Sequence, residues 1–210
     1  MNPAFDKATV GRLLVATTNP SKLKEIRPLL GGLAIELVTL ADVAGVPEPE
    51  ETGQTFWENA RIKALAYAEA SGLVTVAEDS GFEVDALDGE PGVQSARFLG
   101  PSASYEERFA EIYRRLAGRV SSARFVTALA VARGDELLFE TETSVEGVVA
   151  ASPRGAHGFG YDPIFFYPPL GRTTAELPDS EKAAVSHRGR ALRDLQRWLK
   201  NEPASILRKP

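Results

Sequence analysis

Two neighbouring carboxylates, Glu78 and Asp79, interrupt an otherwise apolar stretch of the chain. The apolar segment 73–77 precedes them, Ser80 and Gly81 follow them, and alternating apolar and polar residues resume directly afterwards. This pattern predicts a sharp corner between two short strands, with the acidic pair at the corner. Adjacent carboxylates repel each other unless a cation or a proton relieves the repulsion. The pair therefore indicates a site for a hard metal ion or, as the alternative, a solvated acidic turn.

A short polar segment joins a predicted buried strand, residues 12–18, to a predicted helix that begins near residue 20. Its residues are Thr17, Thr18, Asn19, Pro20, Ser21 and Lys22. The N–H groups of a helix N-terminus, together with hydroxyl groups and an ammonium, can bind a phosphate. The spacing is not that of the nucleotide P-loop. A plain strand–helix junction with Asn19 as the N-cap is the alternative.

An acidic loop precedes the next predicted helix, whose first turn carries the capping box Thr55–Glu58. Its carboxylates are Glu48, Glu50 and Glu51. Carboxylate oxygens are ligands that Mg²⁺ prefers, so the loop could supply one of them. A loop whose charges are simply solvated is the alternative.

Glycines flank aromatic residues in the segment 155–162, just before a short apolar strand. Its last four residues are Phe159, Gly160, Tyr161 and Asp162. Flat rings on such a loop can stack on a nucleobase, although the aromatic side chains could equally fill the core. Further along, Lys182 and Arg188 could bind a phosphate or a base carbonyl, or could belong to a charged helix face.

Composition limits the classes of function. The chain has 210 residues, of which 43% are hydrophobic, and a formal net charge of −5. This charge argues against broad nucleic-acid binding, and the lack of an apolar run of about 18 residues argues against a membrane span. With 0 Cys and 2 His, a thiolate metal site, a cysteine nucleophile and a three-histidine zinc site are all excluded. We expect an intracellular, cytoplasmic protein.

The pattern of elements predicts an α/β fold in one domain. Helices alternate with strands in the first half, and an antiparallel meander over 123–151 dominates the second half. Pro28 should kink or end the first helix early. The predicted domain covers 12–200, between a flexible tail at 1–11 and a C-terminal tail at 201–210.

Taken together, five segments resemble the inosine/xanthosine triphosphate pyrophosphatase family. They are ATTNPSK at 16–22 with Glu25, EETG at 50–53 with Phe56 and ENA at 58–60, DSG at 79–81 with PG at 91–92 and SAR at 95–97, FGYDPIF at 159–165, and SHRG at 186–189. Each is weak alone, but all five occur in the order of the family. The resemblance implies a long curved mixed β-sheet with flanking helices, two lobes with a cleft between them, and a homodimer.

The resemblance also implies a reaction and a set of roles. The reaction is Mg²⁺-dependent hydrolysis of ITP, dITP or XTP to the monophosphate and pyrophosphate. Residues 17–22 would contact the triphosphate, Lys22 and Asp79 would be catalytic, and Glu50 and Asp79 would bind Mg²⁺. The remaining substrate contacts would come from Ser80, Phe159, Gly160, Tyr161, Asp162, Lys182, His187 and Arg188.

Two alternatives remain open from the sequence. A Maf-like pyrophosphatase for modified pyrimidine or methylated nucleotides shares the strand–loop–helix opening. A nucleotide-binding sensor without turnover would need no acidic set such as Glu50, Glu78 and Asp79. Whether Asp79 acts as the general base or only as a metal ligand is also open, because a metal-bound carboxylate is a poor base.

Overall fold

A single mixed sheet forms the centre of the molecule. The computed structural model describes residues 11–43, 45–202 and 204–207, so most of the predicted N-terminal tail and part of the predicted C-terminal tail lie outside the described residues. The strands are Gly11–Val15 (β1), Ile35–Thr39 (β2), Val74–Val84 (β3), Ser122–Arg133 (β4), Glu136–Val149 (β5), Phe165–Tyr167 (β6) and Arg172–Thr173 (β7). Their order is β2-β1-β3-β4-β5-β6-β7. β1 pairs in parallel with β2 and β3, and every later pair is antiparallel, which confirms the predicted mixed sheet.

Five α-helices flank this sheet in the described part of the chain. They are Pro20–Leu30 (α1), Phe56–Ser71 (α2), Tyr105–Leu116 (α3), Asp179–Val185 (α4) and His187–Asn201 (α5). The predicted N-caps Asn19, Thr55, Ser104 and Ser186 all accept hydrogen bonds from backbone N–H groups of the first turn. None of these helices is both long and apolar enough to cross a membrane.

The first helix is longer than Pro28 predicted, because α1 continues through the proline to Leu30. A proline so close to the C-terminus removes one helical hydrogen bond but leaves few residues beyond it to disturb. The short helix α4 and the strand β7 carried no clear periodicity in the sequence. Each is held by neighbouring elements: α4 packs on α5, and β7 pairs with β6.

The predicted corner at Glu78 and Asp79 is wrong. β3 is one continuous strand, and β4 pairs with it without interruption from Thr75 to Val84. An unbroken antiparallel partner satisfies the backbone of the whole segment, so the polar residues do not break the strand. In the predicted meander, β5 is likewise a single strand, and it follows β4 through its entire length.

The apolar core is organised in two lobes. In the first lobe, α2 covers one face of the sheet through residues such as Ala64, while α1 and α5 cover the other face through residues such as Leu192. In the second lobe, α3 packs with the aromatic side chains of Phe82 and Phe165. The site described below lies between these clusters. Leu207 is buried against the first lobe, although the sequence there carried no signal.

Candidate active site

A cavity of about 270 Å³ lies where β1 ends beside β3. The last backbone hydrogen bond between the two strands joins the Ala16 nitrogen to the Val76 oxygen, at 2.9 Å. Farther along β3, the Ser95 hydroxyl accepts a hydrogen bond from the Phe82 nitrogen at 2.8 Å and covers the same edge. The cavity occupies the stretch of β3 between these two points. This is the carboxyl end of a parallel strand in an α/β sheet, where ligands commonly bind.

The structure brings most of the predicted site residues to this cavity. Its lining includes Thr17, Thr18, Asn19, Lys22, Asp79, Ser80, Phe159, Gly160, Tyr161, Asp162, Lys182, His187 and Arg188. Pro20, Ser21 and Glu50 are not among its lining residues, and Ser21 instead lines a neighbouring cavity.

At the start of α1, side chains rather than backbone groups remain available to a ligand. The Asn19 Oδ1 atom accepts hydrogen bonds from the backbone nitrogens of Ser21 at 2.9 Å and Lys22 at 3.3 Å. Pro20 has no N–H group. The N-cap predicted as the alternative is therefore real, and an anion at this point would be bound mainly by hydroxyl groups and by the Lys22 ammonium.

Glu78 lies on the face of β3 that is covered by α1 and α5. Both of its carboxylate oxygens accept hydrogen bonds from Arg188 Nε at 2.9 Å, and Lys22 Nζ lies 3.1 Å from Oε1. Burial alone would raise the pKa of Glu78, but the charges of Arg188 and Lys22 hold it well below its ordinary value. The repulsion expected between the two adjacent carboxylates is thus relieved, on this side, by cations from two helices.

Asp79 points to the opposite face of β3, toward α2. Its Oδ1 atom lies 3.1 Å from Lys63 Nζ, and its Oδ2 atom accepts a hydrogen bond from Asn59 Nδ2 at 3.2 Å. The same Lys63 ammonium lies 2.8 Å from Glu51 Oε1. Burial alone would lower the pKa of Lys63, but the charges of Asp79 and Glu51 raise it above its ordinary value.

These two carboxylates fit a divalent cation. Both lie within hydrogen-bond distance of the Lys63 ammonium, so a divalent cation bound by both carboxylates would take the place of that ammonium. Mg²⁺ in proteins is commonly held by one or two carboxylates together with substrate phosphates and water. The described residues contain no cluster of three or more metal-ligating side chains. Glu51 faces this position, whereas the predicted ligand Glu50 is exposed and lies outside the cavity lining.

The other end of the cavity is formed by a buried ionic cluster beneath Phe159. Lys182 Nζ lies 2.5 Å from Asp162 Oδ2 and 2.7 Å from Glu25 Oε1. Arg188 Nη1 lies 2.6 Å from Glu25 Oε2. Lys182 Nζ and the Arg188 guanidinium lie 4.8 and 5.4 Å from the centre of the Phe159 ring. The cluster therefore holds two cations at fixed positions close to one aromatic ring.

The neighbouring aromatic and imidazole rings belong largely to the core. Tyr161 is buried and donates a hydrogen bond to the Ser95 carbonyl oxygen at 2.9 Å. His187 is buried and stacks on Phe125 with ring centres 4.8 Å apart. Burial, and then the positive charge of Arg188, hold the pKa of His187 well below its ordinary value. The imidazole is therefore neutral near pH 7.

A second cavity of about 640 Å³ adjoins the first between α1, α4 and α5. Phe159, Lys182 and Arg188 line both cavities, so the aromatic ring and the two cations form the boundary between them. Glu25, Leu29 and Ala183 complete its wall. A planar ligand that extends from the first cavity past Phe159 would reach this space.

Sequence reasoning assigned no role to Lys63, quoted Glu25 and Asn59 only as part of the family segments, and named Glu51 only as one of three carboxylates in the acidic loop. Helical spacing carried a usable signal, because Lys63 follows Asn59 by one turn and Glu25 follows Lys22 by three residues. These spacings align the side chains on one face of α2 and of α1, respectively. The sequence alone did not reveal that these faces of α1 and α2 border the site.

Comparison with known proteins agrees with this fold. The model of the Ham1 family matches residues 13–198. The dITP/XTP pyrophosphatase of Exiguobacterium sp. is 48% identical over 88% of this chain and 95% of its own length. The dITP/XTP pyrophosphatase of a Thermus thermophilus strain is 47% identical over 91% of this chain and 93% of its own length.

Solved structures give the same result. The HAM1 protein of Coxiella burnetii superposes with a TM-score of 0.85 at 40% identity, covering 92% of this chain and 100% of that one. The Ham1 protein of Staphylococcus aureus superposes with a TM-score of 0.83 at 34% identity, covering 91% and 100%. The family predicted from the five segments is confirmed, and this chain belongs to the Ham1 family.

Proposed function

We propose that this protein hydrolyses deaminated purine nucleoside triphosphates (ITP, dITP and XTP) to the monophosphate and pyrophosphate, with Mg²⁺ as cofactor. One observation carries the proposal. Two carboxylates that converge on a cation position lie in the same cavity as the Lys22 ammonium and the cationic pair beside Phe159. This arrangement suits a ligand with a metal-bound polyphosphate at one end and a flat base at the other. The names of the relatives, dITP/XTP pyrophosphatases, support the same substrate class.

The triphosphate would lie between α1 and the edge of β3. Thr17, Thr18 and Lys22 would bind its oxygens, and Arg97 at the cavity wall would add a further charge. Arg97 Nη1 lies 3.6 Å from Glu51 Oε2. Glu51 and Asp79 would hold Mg²⁺. The sequence-based assignment of Glu50 as a ligand stays a prediction. Of the two glutamates, Glu51 is the one that faces Asp79 across the cavity lining. When bound, the ion would neutralise phosphate charge and polarise the α-phosphorus.

Hydrolysis requires in-line attack of water on the α-phosphorus. The new bond joins the water oxygen to this phosphorus. The bond between the α-phosphorus and the oxygen that bridges to the β-phosphate breaks, and pyrophosphate leaves with that oxygen. Lys22 would stabilise the negative charge that develops on the leaving group. Asp79 would orient the water and receive its proton. Since a carboxylate beside cations is a weak base, orientation would be its larger contribution.

Base selection would follow from the cations beside Phe159. Inosine and xanthosine carry a carbonyl acceptor at the purine 6-position, whereas adenine carries an amine donor. Lys182, His187 and Arg188 can donate hydrogen bonds to a carbonyl, but would face the amine with unsatisfied donors. Sites built on such hydrogen bonds can discriminate by a factor of up to about 10⁴. Phe159 would stack on either base and add affinity without selectivity.

A homodimer, which the family resemblance implies, and a cytoplasmic location, which the composition favours, are part of the same proposal. Sedimentation of the purified protein tests the dimer.

Pyrophosphate release from a panel of nucleotides tests the function. We expect ITP, dITP and XTP with Mg²⁺ to give pyrophosphate at least about 100-fold faster than ATP, whose base carries the 6-amine. Preference for a modified dTTP or UTP would instead favour a Maf-like enzyme, and tight ITP binding without turnover would favour a sensor. The exposed variant Glu136→Gln, far from the cavity, serves as the control for preparation and assay.

A further inference from the structure

Three hydroxyl side chains form a row across the sheet beneath the start of α5. Ser80 on β3 lies opposite Thr127 on β4, and Thr127 lies opposite Thr143 on β5. Directly paired residues of antiparallel strands point to the same face of a sheet. The Ser80 hydroxyl accepts a hydrogen bond from Arg188 Nη2 at 3.0 Å. The Thr143 hydroxyl donates one to the His187 carbonyl oxygen at 2.7 Å. The outer members of the row therefore hold the first two residues of α5.

The middle member of the row has no such partner. Thr127 is fully buried, and its Oγ1 atom makes no hydrogen bond within the described residues. The Nδ1 atom of His187 is in the same condition. Buried polar atoms without partners are rare in folded proteins, because each has lost its hydrogen bonds to water. Two such atoms beneath the start of α5 require a common explanation.

The side chains that carry the two unpartnered atoms are both related to Phe125. Phe125 and Thr127 are two residues apart on β4 and therefore share a face. The His187 ring stacks on Phe125 at 4.8 Å with an interplanar angle of 9°. Thr143, opposite Thr127, contacts the backbone of the same histidine. Thr127 is thus enclosed by groups that fix the position of His187.

We propose that Thr127 is a positioning residue for His187: one buried water, bound to its hydroxyl, donates a hydrogen bond to Nδ1 and keeps the imidazole proton on Nε2. A neutral imidazole has two tautomers, and the partner of one nitrogen decides which is present. Of the ring nitrogens, only Nδ1 is sealed and without a partner among the described residues, which leaves Nε2 as the one open to the cavity. With Nε2 protonated, His187 presents a donor toward the ligand.

This tautomer matters for substrate choice, and here the inference depends on the proposed function. A donor at Nε2 suits the 6-carbonyl of hypoxanthine or xanthine. The other tautomer would present an acceptor, which suits the 6-amine of adenine. Thr127, which lines neither cavity, would therefore contribute to selectivity without touching substrate.

Histidine ¹⁵N NMR of the substrate-free protein tests the hydrogen bond without any assay of activity. The chain has 2 His, so His157→Gln assigns both ring signals. In the wild-type protein we expect a single His187 tautomer with Nε2 protonated. Thr127→Ser keeps the hydroxyl and should keep the tautomer, whereas Thr127→Val, of nearly equal volume, should give a mixture or the Nδ1-protonated form.

The kinetic arm measures the ratio of kcat/KM for ITP to that for ATP. Thr127→Val should lower this ratio about tenfold, and Thr127→Ser should leave it close to the wild-type value. An Nδ1-protonated or mixed His187 in the wild-type protein overturns the proposal, as does an unchanged tautomer in Thr127→Val. The wild-type spectrum decides this even if the valine variant does not fold. If the tautomer responds as expected but the wild-type protein does not hydrolyse ITP, the proposed function fails and the hydrogen bond stands.

Discussion

Replacing Glu78 by glutamine should destabilise the protein strongly. The side chain of Glu78 is only 5% exposed, and it is paired with Arg188 and Lys22 at 2.9 and 3.1 Å. Glutamine has nearly the same shape but no charge. Arg188 would keep Glu25 as a partner at 2.6 Å. Lys22 has no other ion pair within the described residues, so its partly buried charge would lose its compensation.

The expected size follows from the cost of breaking a buried ion pair, about 3–5 kcal/mol when one partner is removed. Because Arg188 retains Glu25, we expect the lower end, about 3 kcal/mol. Domains of this kind are stable by only about 5–15 kcal/mol in total. The substitution should therefore remove a large share of the free energy of unfolding.

The pH dependence has a definite sign. The pKa of Glu78 is lower in the folded protein than the ordinary value of 4.5. A group of this kind contributes stability above its unfolded pKa, and that contribution is lost as the pH falls toward its folded pKa. The difference in unfolding free energy between wild type and Glu78→Gln should thus be constant above about pH 5.5 and shrink below about pH 4.5.

Urea unfolding followed by circular dichroism at pH 7 and at lower pH measures both effects. Glu136→Gln is the matched control, since Glu136 is 60% exposed and pairs with Arg133 on the surface. It should change the unfolding free energy by no more than about 0.5 kcal/mol. A loss below about 1 kcal/mol for Glu78→Gln, or a difference that grows as the pH falls, would refute the reasoning.

Three further predictions concern the cavity. Asp79→Asn should lower ITP turnover about 100-fold or more, and retained turnover with normal magnesium affinity in a titration would end any essential role for Asp79. Phe159→Ala should raise KM for ITP and for ATP by the same factor, about tenfold, because stacking does not distinguish the bases; a change for ITP alone contradicts this. Gly81→Ala should cost about 1–3 kcal/mol in urea unfolding, because a Cβ at this position would collide with the Gly92 carbonyl oxygen. Gly32→Ala, in open space, is its control, and equal losses in the two variants would be inconsistent with a specific clash.

The sequence predicted the parts of the fold that local rules determine. Helix starts were read from capping residues such as Asn19 and Thr55, and the end of α2 from Gly72, which adopts the left-handed conformation there. The corner at Glu78 and Asp79 was wrong because the continuity of β3 depends on β4, which lies far along the chain. Register with a distant strand leaves no local mark in the sequence.

The candidate site was predictable to a similar extent. Lys22, Asp79 and Arg188 were selected by residue type and by resemblance, and the structure brings them to one cavity. The choice between Glu50 and Glu51 depends on which side chain of an acidic loop turns inward, and neighbouring glutamates look alike in the sequence. Lys63 lies on α2, and only the tertiary structure reveals that this helix forms a wall of the cavity.

The central claim is that water attacks the α-phosphorus of a deaminated purine triphosphate held between Asp79 and Lys22. Hydrolysis of ITP in ¹⁸O-labelled water, with mass spectrometry of both products, tests it most directly. We predict one solvent oxygen in inosine monophosphate and none in the pyrophosphate released. Solvent oxygen in the pyrophosphate, or release of orthophosphate in its place, would contradict the claim.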